Sequence, residues 1–106
     1  MDTMQNKVKN FNANRGVHTK PMPVSARLLD ISSEIGELNK EFLKGSKYGT
    51  QELMLDEEFK MELGDVLYSL LSLANEVDVD AEEYLDKVIA KYQARIDKNK
   101  SMGSGR

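Results

Sequence analysis

Residues 57–77 read EEFKMELGDVLYSLLSLANEV. Phe59, Leu63, Val66, Leu70, Leu73 and Val77 recur at alternating steps of four and three, the spacing of one apolar stripe along an α-helix. Leu67 and Leu71 widen that stripe, which predicts a central helix buried on more than one side. Asp56 stands where a side chain can cap the first turn. Working upstream, Leu28, Ile31, Ile35, Leu38 and Phe42 form a second stripe, predicting a helix over 23–44. Pro23 suits its first turn, because the missing N–H has no helical partner there. Gly45 is a natural stop, and 45–55 is a polar connector containing Gly49. Downstream, 78–80 is a short turn. Leu85, Val88, Tyr92 and Ile96 then mark a third long helix over 81–98. Met4, Val8 and Phe11 predict a short N-terminal helix, and 12–23, with Gly16, Pro21 and Pro23, a loop. The expected fold is all-α: an antiparallel helical bundle of three long helices plus a short N-terminal one. It forms a single domain over 1–100, with a flexible tail over 101–106.

Composition narrows the function. A chain of 106 residues buries only about 60–65% of its unfolded surface, so completion of the core by oligomerisation is expected. Eighteen acidic against fifteen basic residues give net −3, which argues against a nucleic-acid binder. The chain has no cysteine, which excludes disulfides, thiolate zinc sites and cysteine nucleophiles. One histidine, His18, excludes any site that needs two. No apolar run approaches the roughly 18–20 residues of a membrane span, and the polar start is unlike a signal peptide. A soluble cytoplasmic protein is expected.

The chemistry rests on carboxylates. Glu34 and Glu37 lie three apart on the first long helix, as do Glu62 and Asp65 on the second. An isolated pair at this spacing is ordinary solvated surface, as at Asp80/Glu83 and Glu83/Asp86. Placement distinguishes these two pairs. Each lies roughly 90–100° from the centre of its apolar stripe, in the same rotational sense. In an antiparallel hairpin, equal rotations point to the same flank. Both pairs are also nearly equidistant from the connector, so all four carboxylates are expected to converge. Gathered without nearby lysines they repel one another, and a bound cation relieves the repulsion. All-oxygen ligation suits Mg²⁺, or Mn²⁺. Such an ion commonly works with substrate phosphates, activating water for attack on phosphorus.

Ser33-Glu34-Ile35-Gly36-Glu37-Leu38, followed by Glu62-Leu63-Gly64-Asp65-Val66-Leu67-Tyr68, resembles the MazG-like nucleoside triphosphate pyrophosphohydrolases, in a superfamily that also holds dimeric dUTPases and phosphoribosyl-ATP pyrophosphohydrolases. The likeness runs from about Phe11 to Asp97. It implies a Mg²⁺ site at Glu34, Glu37, Glu62 and Asp65. It implies hydrolysis of a nucleoside triphosphate, deoxyribonucleotides foremost, to monophosphate and pyrophosphate. It also implies a homodimer or homotetramer with active sites near subunit interfaces, and a role in removing unwanted nucleotides. Lys91 and Arg95 match a basic stretch that faces the phosphates in many relatives. Two positions depart from the pattern. Ser33 stands where relatives often have glutamate, and His18 where they often have tryptophan.

Other readings stay open at this point. Lys91 and Arg95 also fit plain surface, and His18 fits either a substrate contact or an inert loop residue. Asn75 can bind a base or sugar, or bridge two helices. Glu41 can orient water or complete the metal shell, or pair with Lys40 or Lys44. The rival functions are a non-catalytic interaction module whose acidic groove binds a basic partner, and a dUTPase-like or phosphoribosyl-ATP hydrolase.

Overall fold

The computed structural model describes residues 3–14 and 24–99. They form four helices: α1 (Met4–Asn14), α2 (Val24–Gly45), α3 (Glu57–Glu76) and α4 (Ala81–Asn99). No strand occurs among the described residues, as the 3.6-residue periodicities predict. His18, the start of the second predicted helix at Pro23 and the 101–106 tail lie outside the described residues.

Each helix end has a local cause. Asp56 caps α3, its carboxylate accepting from the Phe59 N–H at 2.9 Å. Glu57 and Glu58 in that first turn complement the helix dipole. Asp56→Ala should lower stability by about 1 kcal/mol in thermal unfolding. Past Glu76, the Val77 and Val79 N–H groups return to the carbonyls of Leu73 and Ala74 at 3.1 and 2.9 Å, around Asp78 with φ 56°. Asp80 then caps α4, accepting from the Glu82 and Glu83 N–H groups at 3.0 and 3.2 Å. This is a capping role that charge spacing did not reveal.

The predicted stop at Gly45 proves to be a packing requirement. The helix runs through Gly45, and a Cβ there would sit 2.9 Å from both Leu53 Cδ1 and the Met54 carbonyl oxygen. Buried Ser46 ties the turn, donating to the Phe42 carbonyl at 2.7 Å and accepting from the Gly49 N–H at 3.0 Å. Gly49, with φ 81°, completes it.

α2 and α3 form the principal helix pair and α1 packs on α3. Asn12, predicted as loop, lies within α1 instead, its amide engaged by α3. Asn12 donates to the Ser72 hydroxyl at 3.4 Å and accepts from the Tyr68 hydroxyl, with Phe11 edge-on to Tyr68 at 6.3 Å. Gln5 accepts from the Ala81 N–H at 2.7 Å and donates to the Val79 carbonyl at 2.6 Å, fastening α1 to the start of α4.

The apolar stripes are only partly covered. Among the described hydrophobic residues, Ile31 and Leu71 are buried, whereas Leu28, Ile35, Phe42, Leu63, Leu67 and Leu70 stay between 42% and 53% exposed. On α4, Tyr84, Leu85, Ile89 and Tyr92 are exposed as well. The buried seam between α2 and α3 is instead partly polar. Arg27, Ser69 and Ser72 are each at most 5% exposed, and Arg27 lies 3.8 Å from Glu76. No described helix is long and apolar enough to cross a membrane.

Candidate metal centre

The polar seam has a register. Asp30 accepts from the Ser69 hydroxyl at 3.3 Å, and at the other end Lys44 donates to Glu58 at 2.8 Å. Advancing along α2 therefore means retreating along α3, the antiparallel arrangement that the short connector predicts. Asp30, Glu34, Glu37, Glu41 and Lys44 follow one another at steps of four and three, so they share one face of α2. Glu58, Glu62, Asp65 and Ser69 do the same on α3.

Midway along this seam, Glu34, Glu62 and Asp65 each offer a carboxylate oxygen, all within 4.8 Å of one another. Oxygens at that separation can surround one cation at the roughly 2.0–2.6 Å that Mg²⁺, Mn²⁺ or Ca²⁺ requires. Glu34 and Glu62 are half-buried and Asp65 is exposed, so the cluster opens to solvent on one side. Among the described residues, no lysine or arginine pairs with these three.

The electrostatics show the strain of the arrangement. Partial burial, then the charges of Asp65, Asp30 and Glu37, raises the Glu34 carboxyl above its ordinary value. Burial, then Asp65, Glu34, Glu37 and Glu41, raises Glu62 likewise. Both groups resist ionising beside like charges, and a bound cation reverses that preference.

Glu37 is near enough to act on Glu34 and Glu62, but it stands outside the trio. It accepts from Lys40 at 3.4 Å, so the expectation of carboxylates free of lysine neighbours holds for three of the four. Glu41, a candidate for the metal shell, is paired with Lys44 at 2.9 Å. Asp30 belongs to the same acidic face and was missed. Its step of four from Glu34 was the available signal.

The remaining candidates lie elsewhere. Asn75 donates to the Gln5 carbonyl at 3.3 Å, bridging α3 to α1. It is about 15 Å along the helix from Asp65. The Lys91 ammonium and Arg95 guanidinium lie over the Tyr92 ring, 5.4 and 5.8 Å from its centroid. Among the described residues neither pairs with a carboxylate.

Comparison with known proteins agrees with this geometry. Residues 25–99, which carry the whole acidic seam, match the MazG nucleotide pyrophosphohydrolase domain. A Bacillus subtilis (strain 168) protein, "Uncharacterized protein YpjD", is 35% identical over 76 residues, covering 71% of this chain and 66% of the relative. The chain thus spans just under two thirds of that relative's length. No solved structure matches the chain. With the domain match spanning most of the chain and the carboxylates facing each other across α2 and α3, this protein belongs to the MazG nucleotide pyrophosphohydrolase family.

Proposed function

We propose that the chain hydrolyses nucleoside triphosphates, deoxyribonucleotides foremost, to monophosphate and pyrophosphate in a Mg²⁺-dependent reaction, with Mn²⁺ able to replace Mg²⁺. The observation that carries this reading is the convergence of Glu34, Glu62 and Asp65 oxygens within 4.8 Å, inside a MazG domain. Glu34, Glu37, Glu62 and Asp65 hold the cation, Glu37 joining the trio by giving up Lys40. A cation held there would polarise phosphoryl oxygens and lower the pKa of a bound water.

The chain's own residues do the rest. A carboxylate of the set orients a water toward the α-phosphorus and accepts its proton. The new bond forms between that oxygen and phosphorus, and the bond to the bridging oxygen breaks with its electron pair leaving on pyrophosphate. Lys91 and Arg95 bind phosphate oxygens, Arg95 bidentately. Asn75 and His18 contact the nucleoside end. The working form is a homodimer or homotetramer that brings α4 of one copy toward the site of another. It cleans the cytoplasmic nucleotide pool.

The test is a panel of ribo- and deoxyribonucleoside triphosphates, with Mg²⁺ or with EDTA, followed by product separation. Monophosphate plus pyrophosphate in the Mg²⁺ arm alone is expected, with the deoxyribonucleotides turned over faster. Diphosphate plus orthophosphate would mean a different phosphorus is attacked. A chain that turns over no triphosphate, yet binds a basic partner equally with and without Mg²⁺, would be an interaction module instead.

A further inference from the structure

Glu41 is a further carboxylate on the face of α2 that carries Glu34 and Glu37. It lies four residues beyond Glu37 on the same face of α2, and its side chain is only 16% exposed. It is close enough to Glu62 for its charge to be felt there. Nothing in the α2 face itself separates it from the residues proposed to hold the cation. Its partner does. The Lys44 ammonium sits 2.9 Å from Glu41 and 2.8 Å from Glu58, spanning the end of α2 and the start of α3. Pairing with Glu58 and then Glu41 holds that ammonium above the ordinary lysine range, so it stays charged at any working pH. Among the described residues, Glu34, Glu62 and Asp65 have no such cation.

We propose that Lys44 is a positioning residue: its ammonium holds Glu41 off the metal centre, limits the metal shell to Glu34, Glu37, Glu62 and Asp65, and so leaves coordination positions for water and phosphate. The proposal rests on the cation site argued under Proposed function. A fifth carboxylate on the ion would tighten binding and displace a water that the reaction needs. Lys44 therefore trades metal affinity for an open shell. Glu58, 70% exposed and on the first turn of α3, completes the clamp from the other helix.

The experiment uses Mn²⁺ alone as the probe, on the full chain. Electron paramagnetic resonance gives its affinity, and water-proton relaxation gives the number of waters it retains. The proteins compared are wild type, Lys44→Gln, Lys44→Arg, and Lys44→Gln combined with Glu41→Gln. Lys44→Gln should bind Mn²⁺ about tenfold more tightly, through one added carboxylate, and retain about one water fewer. Lys44→Arg, which keeps the pairing, should behave as wild type. Adding Glu41→Gln should restore the lost water. Tighter binding with an unchanged water count would reduce Lys44 to a through-space charge and overturn the proposal. So would an unchanged affinity in Lys44→Gln. Wild type that binds no Mn²⁺ would instead defeat the cation site itself, a separate result. Circular dichroism checks that each variant keeps its helices, and Lys44→Met, which also removes the charge, carries the comparison if Lys44→Gln does not fold.

Discussion

Asp65→Asn should remove Mg²⁺-dependent triphosphate hydrolysis, lowering kcat/KM by at least about 10²-fold, while the metal-free protein becomes more stable. The two effects share one cause. Asp65 is the largest charge acting on both Glu34 and Glu62, and it supplies one of three oxygens that converge within 4.8 Å. Asparagine keeps the shape but offers the cation a neutral oxygen. It also removes the largest of the like charges that, after burial, raise the other two carboxyls. The sign with pH follows. A carboxyl whose folded pKa is raised holds a proton in the native state that the unfolded chain releases. Metal-free stability therefore falls as pH rises from the ordinary carboxylate value of 4.5 through the raised values. Asp65→Asn should flatten that fall, and saturating Mg²⁺ should do the same for wild type by countering the repulsion. Thermal melts across pH, with Mg²⁺ and with EDTA, check it. A variant that loses activity and also melts lower at neutral pH without metal would point to a damaged fold rather than a lost ligand.

Leu67→Asp should convert the assembled protein into monomers and lower its melting temperature. Leu63, Gly64, Val66, Leu67 and Leu70 line one groove along α3, and Leu67, Leu70, Leu71 and Leu85 line another beside α4. Leu63, Leu67, Leu70, Tyr84, Leu85, Ile89 and Tyr92 on these two helices are all exposed. A contiguous apolar face of this kind is what subunit interfaces cover. Burying a leucine is worth about 1.5–3 kcal/mol, and an unpaired aspartate in its place costs further. Two such sites meet in a two-fold dimer, so association should weaken by at least about 10³-fold. Sedimentation velocity reads the change directly. Wild type that sediments as a single 12.0 kDa chain at micromolar concentration would overturn the assembly proposed here.

The helices were legible because their signals are local. Steps of three and four placed α2, α3 and α4 within a residue or two of their observed ends, and Asp56 caps α3 as its position predicted. The same periodicity overstated the core. It locates an apolar face without saying what covers it, and half of the α3 and α4 stripe residues stay exposed in a single chain. At the site, helical geometry and the antiparallel hairpin sufficed to bring Glu34, Glu62 and Asp65 together. The exceptions are residues whose fate depends on a long side chain. Lys40 reaches Glu37 and Lys44 reaches Glu41, both three residues along α2; spacing permits each pair, and the second was one of the readings left open for Glu41, but spacing does not say which lysine engages which carboxylate. Asn75 shows the same limit. Its spacing on α3 gave no sign that its amide donates to the carbonyl of Gln5, 70 residues away in the chain.

Hydrolysis in ¹⁸O-labelled water tests the central claim most directly, because it reports the metal requirement and the bond broken in one run. The wild-type chain, given a deoxyribonucleoside triphosphate with Mg²⁺, should place the label in the monophosphate and leave pyrophosphate unlabelled, and EDTA should stop the reaction. Label in pyrophosphate, label in orthophosphate, or equal turnover in EDTA would contradict a carboxylate-held cation directing water to the α-phosphorus.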